Sequence, residues 1–188
     1  MKKAFKILLM VLAYLACFLL GGASGMIHPV CYAYVGAVLP LLTAFVYLYT
    51  CTVIRGFGAA SVLNGFILVL FLFAGEADIL FIIGTIVLTA LAELLRSRFR
   101  DEPRKGIRWS FVPFAFTFFT YTGHWWTDTE GSLAAAVEEM PAGYDQLMKP
   151  VIDNVPVLIV VLVLTIPIAI LAMRLAEKVL KKPAASFR

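Results

Sequence analysis

Residues 117–153 read TFFTYTGHWWTDTEGSLAAAVEEMPAGYDQLMKPVID, and this stretch decides how the rest of the chain is interpreted. It begins as the end of an apolar helix, in which Thr117, Thr120, Tyr121 and His124 share one face at helical spacing. A tryptophan pair and an acidic segment follow before the last long apolar run. Four side chains able to hydrogen-bond therefore point the same way at one end of a predicted membrane span, where we expect a ligand site.

The composition outside this stretch is that of an integral membrane protein. The chain has 188 residues, of which 62% are hydrophobic and 15% are charged, and its mean hydropathy is +0.92. Such a chain has too little polar surface for a soluble domain of this length. Cys17, Cys31 and Cys51 show no C-x-x-C spacing, so neither a disulfide framework nor a zinc site is indicated.

The apolar runs predict an all-α fold with six transmembrane helices in one domain, residues 1–188. About 20 apolar residues are needed to cross the hydrocarbon of a bilayer. Residues 1–24 also resemble a secretory signal, so cleavage is the alternative to a retained first helix. The predicted spans are 5–23, 29–52, 57–74, 78–95, 109–125 and 151–175.

The basic residues predict the orientation, because Lys and Arg accumulate in cytoplasmic loops. With both termini cytoplasmic, Lys149 is the one basic residue of the 16 on the outer face, which carries a net charge of −7 against +11 inside. The topology explains the basic balance, and no nucleic-acid partner is expected. The inner basic residues are Lys2, Lys3, Lys6, Arg55, Arg96, Arg98, Arg100, Arg104, Lys105, Arg108, Arg174, Lys178, Lys181, Lys182 and Arg188.

Further candidate ligand residues lie at the outer ends of the second and fourth spans. His28 and Tyr32 share one side of a helix that begins near Pro29, although an interfacial histidine is often only hydrated. Glu76 and Asp78 precede the fourth span, where acids either cap the helix or act at the mouth of a site.

The aromatic and acidic segment after the fifth span has two interpretations. Trp125 and Trp126 either flank a ligand or belong to an interfacial aromatic belt. Apolar residues at helical spacing predict a short external helix that lies over the mouth as a lid between the fifth and sixth spans. They are Leu133, Val137, Met140, Tyr144, Leu147 and Met148.

Two further patterns concern packing. A small-residue face on the first helix allows close helix approach, either to a partner protein or within the bundle. Near the inner end of the fourth span, the spacing of Glu93 and Arg96 predicts an ion pair. The small residues of the first helix are Ala13, Ala16, Cys17 and Gly21.

Recognisable catalytic patterns are absent from the sequence. It contains no H-E-x-x-H, G-x-S-x-G or P-loop motif and no carboxylate pair suited to hydrolysis. We therefore expect no enzyme activity, and active transport would have to be driven by another chain. A membrane binding subunit is favoured, with a membrane enzyme and an assembly or regulatory subunit as alternatives.

Topology and scattered positions resemble a known family. The glycine-rich first loop, the basic loop between spans four and five, and the tail pattern Tyr144, Met148, Pro156 and Lys178-Val-Leu-Lys-Lys182 resemble the Trep_Strep family of bacterial membrane proteins. That family is similar to the substrate-binding S components of energy-coupling factor (ECF) transporters. The Ala-x-x-x-Ala motif of their first helix is not matched cleanly here.

This resemblance implies a location, partners and a binding region. The chain would be a multi-pass protein of the bacterial cytoplasmic membrane, with a membrane scaffold protein and two ATPase subunits as partners. The S component would topple in the bilayer to release its cargo, and it would have no intrinsic cofactor. The ligand would be held by outer loops and helix ends, here residues 21–28, 75–78 and 127–149.

Two ligand classes stay open. Haem or another metal-bearing macrocycle ranks first, with His28 or Tyr32 and an opposing His124 as axial iron ligands. A vitamin-like cationic or aromatic molecule is the alternative, held by stacking, cation–π contacts and the outer acids. The aromatic residues that would flank either ligand are Tyr121, Trp125 and Trp126.

Overall fold

The computed structural model describes residues 3–180, which are mostly α-helical and contain no β-strand. The basic residues Lys2, Lys181, Lys182 and Arg188 lie outside the described range. The α-helices in chain order are α1 (Lys3–Ala23), α2 (Pro29–Tyr34), α3 (Pro40–Val53), α4 (Ala59–Ala74), α5 (Ile79–Arg98), α6 (Pro103–Ala115), α7 (Thr117–Thr122), α8 (His124–Thr127), α9 (Thr129–Glu139), α10 (Tyr144–Asp153) and α11 (Val155–Val179).

Four helical segments of the described chain are long and apolar enough to cross a membrane. They coincide with the first, second, fourth and sixth predicted spans, because sustained apolar runs of this length are the strongest signal in the sequence. The segments are Lys3–Met26, Pro29–Val53, Ile79–Arg98 and Val155–Val179.

The other two predicted spans take different forms. The third is α4, an apolar helix of 16 residues, which is about 24 Å long. The fifth is divided among α6, α7 and α8, with breaks at Phe116 and Gly123. Pro113 lies inside α6 and removes a backbone donor shortly before the first break. The six-span topology therefore stays a prediction.

Local sequence explains where several helices begin and end. The Oδ1 atom of Asp78 accepts a hydrogen bond from the Phe81 amide at 2.6 Å, which confirms the predicted cap of α5. Pro29 occupies the first turn of α2, where its missing N–H is tolerated. Gly75 ends α4 with a φ of +78°, a backbone conformation that favours glycine.

Buried polar side chains join the helices at the centre of the bundle. The Tyr14 hydroxyl donates to Asn64 Oδ1 at 2.8 Å, and the Asn64 amide donates to Thr89 at 2.8 Å and Thr117 at 3.1 Å. Asn64 is fully buried. Because each partner is satisfied, this network ties α1, α4, α5 and α7 together without leaving a free polar group.

The segment after α8 folds into α9 and α10, so the helical structure predicted for this part of the chain is present. Helix α9 packs on α8 and α10, and α10 packs on α2. Gly143, with a φ of +84°, allows the chain to turn between α9 and α10. Whether this pair acts as a lid stays a prediction.

Near the C-terminal end of α5, the structure contradicts the predicted ion pair between Glu93 and Arg96. The Glu93 carboxylate instead accepts hydrogen bonds from the backbone amides of Gly58 at 2.9 Å, Ala60 at 2.8 Å and Ser61 at 3.1 Å. These amides belong to the first turn of α4, which has free donors and a favourable dipole. Local helix spacing alone did not reveal this acceptor role.

Candidate functional site

A cavity of about 780 Å³ lies at the end of the bundle where α5 begins. Its walls come from the turn after α4, the first turns of α5, the α7–α8 segment and one face of α9. The structure thus brings together six of the sequence-predicted ligand residues in one cavity. They are Tyr32, Glu76, Asp78, Tyr121, His124 and Trp125.

Three aromatic rings form one wall of this cavity. The Tyr32 ring meets the Tyr121 ring edge-on, with centroids 6.5 Å apart, and the Trp125 ring edge-on at 6.2 Å. Trp125 is 3% exposed and Tyr32 is 6% exposed. Packed aromatic groups of this kind present flat apolar and electron-rich surface to a ligand.

Carboxylates form the other wall. Glu76, Asp78, Asp128 and Glu139 all line the cavity, and none of its lining residues in the described chain is Lys or Arg. Asp78 and Asp128 are partly engaged as caps of α5 and α9. Since unpaired carboxylates lower the local potential, the cavity favours cations over anions.

His124 is held in place by Ser132. Its Nδ1 atom lies 2.7 Å from Ser132 Oγ, and the Ser132 hydroxyl donates to the His124 carbonyl oxygen at 3.2 Å. A hydroxyl has one proton to donate, so when that proton goes to the carbonyl oxygen, Nδ1 is the donor in the first contact. The Nε2 atom is then an acceptor, and it has no hydrogen-bond partner within residues 3–180.

Two buried donors beside the cavity also lack partners. Trp125 Nε1 and the Tyr144 hydroxyl have no hydrogen-bond partner among the described residues, and their rings lie 6.5 Å apart. Burial raises the pKa of Tyr144, so its hydroxyl stays a neutral donor at physiological pH. Buried polar groups are nearly always paired in proteins, so these two donors are available to an acceptor.

Three of the predicted ligand residues do not line the cavity, and neither does Thr120, the fourth member of the helical face that opens the predicted site. His28 is exposed and caps α2, where its Nδ1 atom accepts from the Val30 amide at 3.2 Å. Thr117 belongs to the buried network around Asn64. Trp126 donates its indole N–H to the Ile152 carbonyl at 3.2 Å, which fastens α8 to α10.

The small residues of α1 are also divided by the structure. A Cβ atom on Gly21 would lie 2.5 Å from the Phe118 ring, so this glycine permits close packing of α1 on α7. Cys17 is buried as well, whereas Ala16 is exposed and Ala13 is half-buried. Part of the predicted docking face is therefore used inside the bundle.

The predicted binding segment 127–149 contributes one face of α9 to the cavity, but the residues of that face were not singled out from the sequence. Asp128, Ser132, Ala136 and Glu139 line the cavity at intervals of three or four residues. This spacing was present in the sequence, but the apolar residues of the segment gave a competing helical face. No group of three or more His, Cys, Asp or Glu side chains suited to holding a metal ion occurs among residues 3–180.

One comparison with known proteins identifies a family. A family model described as "Hypothetical bacterial integral membrane protein (Trep_Strep)" matches residues 1–183. No curated protein and no solved structure matches the chain.

Proposed function

We propose that this chain, which belongs to the Trep_Strep family of bacterial integral membrane proteins, captures a small cationic molecule with an aromatic ring for import. In this proposal it is the substrate-specificity component of an ECF-type importer. It hands its ligand to a membrane scaffold that is driven by two separate ATPase subunits. All six predicted spans cross the bilayer, and both termini are cytoplasmic.

The observation that carries the proposal is the cavity at the start of α5. It combines an aromatic wall, four carboxylates and a volume of about 780 Å³, which falls in the range of small-molecule sites. An aromatic cation would stack on Tyr121 or Trp125 and place its charge near Glu76 or Glu139. An acceptor atom on the ligand would also satisfy the free indole N–H of Trp125.

The walls of the cavity favour an aromatic cation over haem, which ranked first from the sequence. Haem carries acidic propionates, which the carboxylate wall would repel. His28 does not line the cavity, so it is not placed to ligate iron together with His124. The free Nε2 atom of His124 keeps haem as the second candidate, with Tyr32, which lines the same cavity, as the other predicted axial ligand.

Charge placement supports the orientation. Asp78 stands at the first end of α5 and Arg96 and Arg98 in its last turn. The acidic cavity is therefore at the end predicted to face outward, where an importer receives its ligand. Helix α9 borders the cavity on this side, and together with α10, which packs on it, is proposed as its lid.

Uptake and co-purification test this function. The tagged chain should co-purify with a membrane scaffold and ATPases. Vesicles that contain the complex should accumulate the ligand only when ATP is supplied on the side of the membrane where the ATPases lie. Turnover of a substrate by the isolated chain would favour the membrane-enzyme alternative. A stable complex without uptake would favour the assembly or regulatory subunit.

Absorbance with added haem separates the two ligand classes. We expect no Soret shift at micromolar haem for the purified chain. A shift that is lost in His124→Ala but kept in His28→Ala would instead establish the haem candidate.

A further inference from the structure

A second cavity, of about 660 Å³, lies at the opposite end of α5. Helix α5 has 20 residues and is about 30 Å long, so the two cavities are separated by roughly the thickness of the hydrocarbon core. The second cavity is at the end predicted to face the cytoplasm. Its walls include Arg55, Phe57, Arg96, Phe99, Arg100 and Ile107.

Arg96 is the unusual residue in this cavity. It is 8% exposed, and its Nη2 atom donates to the carbonyl oxygens of Cys51, at 3.2 Å, and Ile54. These contacts place a positive charge at the end of α3, where the helix dipole is favourable. The Nη1 atom is buried and has no hydrogen-bond partner within residues 3–180.

No carboxylate within residues 3–180 makes a direct ion pair with this guanidinium. Glu93 is its nearest acidic neighbour along α5, but the two form no ion pair in the described chain, and the Glu93 carboxylate is occupied by the amides of α4. A buried guanidinium with an unused donor is unfavourable unless an anion or acceptor completes its surroundings.

Two more arginines surround the same space. Arg55 and Arg100 are exposed and line the cavity with Arg96, and no Asp or Glu is among its lining residues in the described range. Three guanidinium groups provide planar donors that match the oxygens of a phosphate group. Phe57, which is 73% exposed beside them, is typical of an aromatic anchor at the membrane interface.

We propose that this cavity binds a phosphate group, supplied by the headgroup of an anionic lipid or by inorganic phosphate. Arg55 and Arg100 attract the anion, and the free Nη1 of Arg96 completes its hydrogen bonds. The site is separate from the proposed import function, since it is lined by different residues at the other end of the bundle.

Thermal unfolding of the purified chain in detergent tests the site with two probes. In one arm, phosphatidylglycerol is titrated in, with phosphatidylcholine as the zwitterionic control. In the other, inorganic phosphate is titrated at constant ionic strength. We expect a saturable rise in unfolding temperature in at least one arm, and the arm that responds identifies the source of the phosphate group.

Charge-matched variants give the decisive comparison. The double variant Arg55→Gln/Arg100→Gln should weaken the apparent affinity roughly tenfold or more, because it removes two charge-assisted contacts. The control Arg98→Gln/Arg104→Gln removes the same charge from exposed residues outside the cavity. It should change the affinity by less than about twofold.

Two results would overturn the proposal: no saturable shift in either arm, or equal weakening in both double variants. Equal weakening would mean that the basic loop attracts anions diffusely. Arg96→Lys keeps the charge but loses the forked donors, so it should also weaken binding. If that variant does not fold, the exposed Arg55 and Arg100 pair still decides the question.

Discussion

The carboxylates near the two ends of helix α5 differ in whether they are hydrogen-bonded within the protein. At the arginine-rich end, Glu93 is 1% exposed and its oxygens accept hydrogen bonds from three backbone amides at the start of α4. At the other end, Glu76 and Glu139 are exposed, line a cavity and have no hydrogen-bond or ion-pair partner in residues 3–180. A satisfied carboxylate stabilises the fold, whereas an unsatisfied one beside a cavity is available for a ligand.

The largest effect on stability is expected from removing the hydrogen-bonded carboxylate of Glu93. Glu93→Ala removes the acceptor of three backbone amides at the start of α4, those of Gly58, Ala60 and Ser61. Leaving such donors unpaired should lower the free energy of unfolding by about 3 kcal/mol or more. Unfolding in mixed micelles of dodecyl maltoside and SDS measures this change.

An exposed glutamate provides the control for that variant. Glu102 is exposed and interacts with Lys105 at 3.3 Å, so Glu102→Ala should cost no more than about 1 kcal/mol. Equal losses for Glu93→Ala and Glu102→Ala would contradict the structural role assigned to Glu93.

Two adjacent glycines test the packing of α1. In Gly21→Ala the new Cβ would lie 2.5 Å from the Phe118 ring and 2.8 Å from Leu39, so we expect a loss of about 1–3 kcal/mol from overpacking. In Gly22→Ala the Cβ meets nothing within 4 Å, and alanine is the better helix former. That variant should be neutral or more stable in the same unfolding assay.

The two glycines also bear on the docking face. If Gly21→Ala leaves stability unchanged but prevents co-purification with a scaffold, then Gly21 serves a partner surface and the internal packing assigned to it is wrong.

Much of the fold was accessible from the sequence because long apolar runs have few structural options in a bilayer. Four of the six predicted spans became helices long enough to cross a membrane, and the Asp78 cap formed as its position before α5 predicted. The division of residues 109–125 among three helices was not predicted, although Pro113 is expected to interrupt a helix there. Pro113 alone does not predict where the helix breaks, because the positions of the breaks at Phe116 and Gly123 depend on tertiary packing.

The site was predicted in part for a similar reason. Residues near Tyr121 and His124 were found because polar and aromatic groups are conspicuous at the end of an apolar helix. Glu139 and Ser132 were not singled out as wall residues because their role depends on how α9 packs against α8. The pairing of Glu93 with the start of α4 is likewise a contact across about 30 residues that helix periodicity does not encode.

Two buried tyrosines sharpen the contrast between satisfied and unsatisfied groups. Tyr14→Phe leaves Asn64 Oδ1 without its donor at 2.8 Å, and should lower stability by about 1–2 kcal/mol. Tyr144→Phe removes a hydroxyl that has no partner in the described chain, and should change the stability of the ligand-free protein by less than about 0.5 kcal/mol. A large loss for Tyr144→Phe would show that its hydroxyl is already bonded without ligand.

The smallest effect is expected from two neighbouring acids on α9. Glu139 and Glu138 are both exposed, but only Glu139 lines the cavity. Glu139→Gln should weaken binding of the cationic ligand about twofold to fivefold at low salt, because an exposed charge contributes up to about 1 kcal/mol. Glu138→Gln should leave affinity within error, and salt should reduce the difference between the variants. Equal effects would indicate a general surface potential.

Mass spectrometry of the small molecules released from the purified chain tests the central claim most directly. The protein is isolated from bacterial membranes as wild type, Trp125→Leu and Trp126→Leu, two variants that differ by one position at the cavity wall. We predict one aromatic cation that co-purifies with wild type and with Trp126→Leu but is lost or strongly reduced in Trp125→Leu. An anionic ligand, or an aromatic cation retained equally by both variants, would contradict the account.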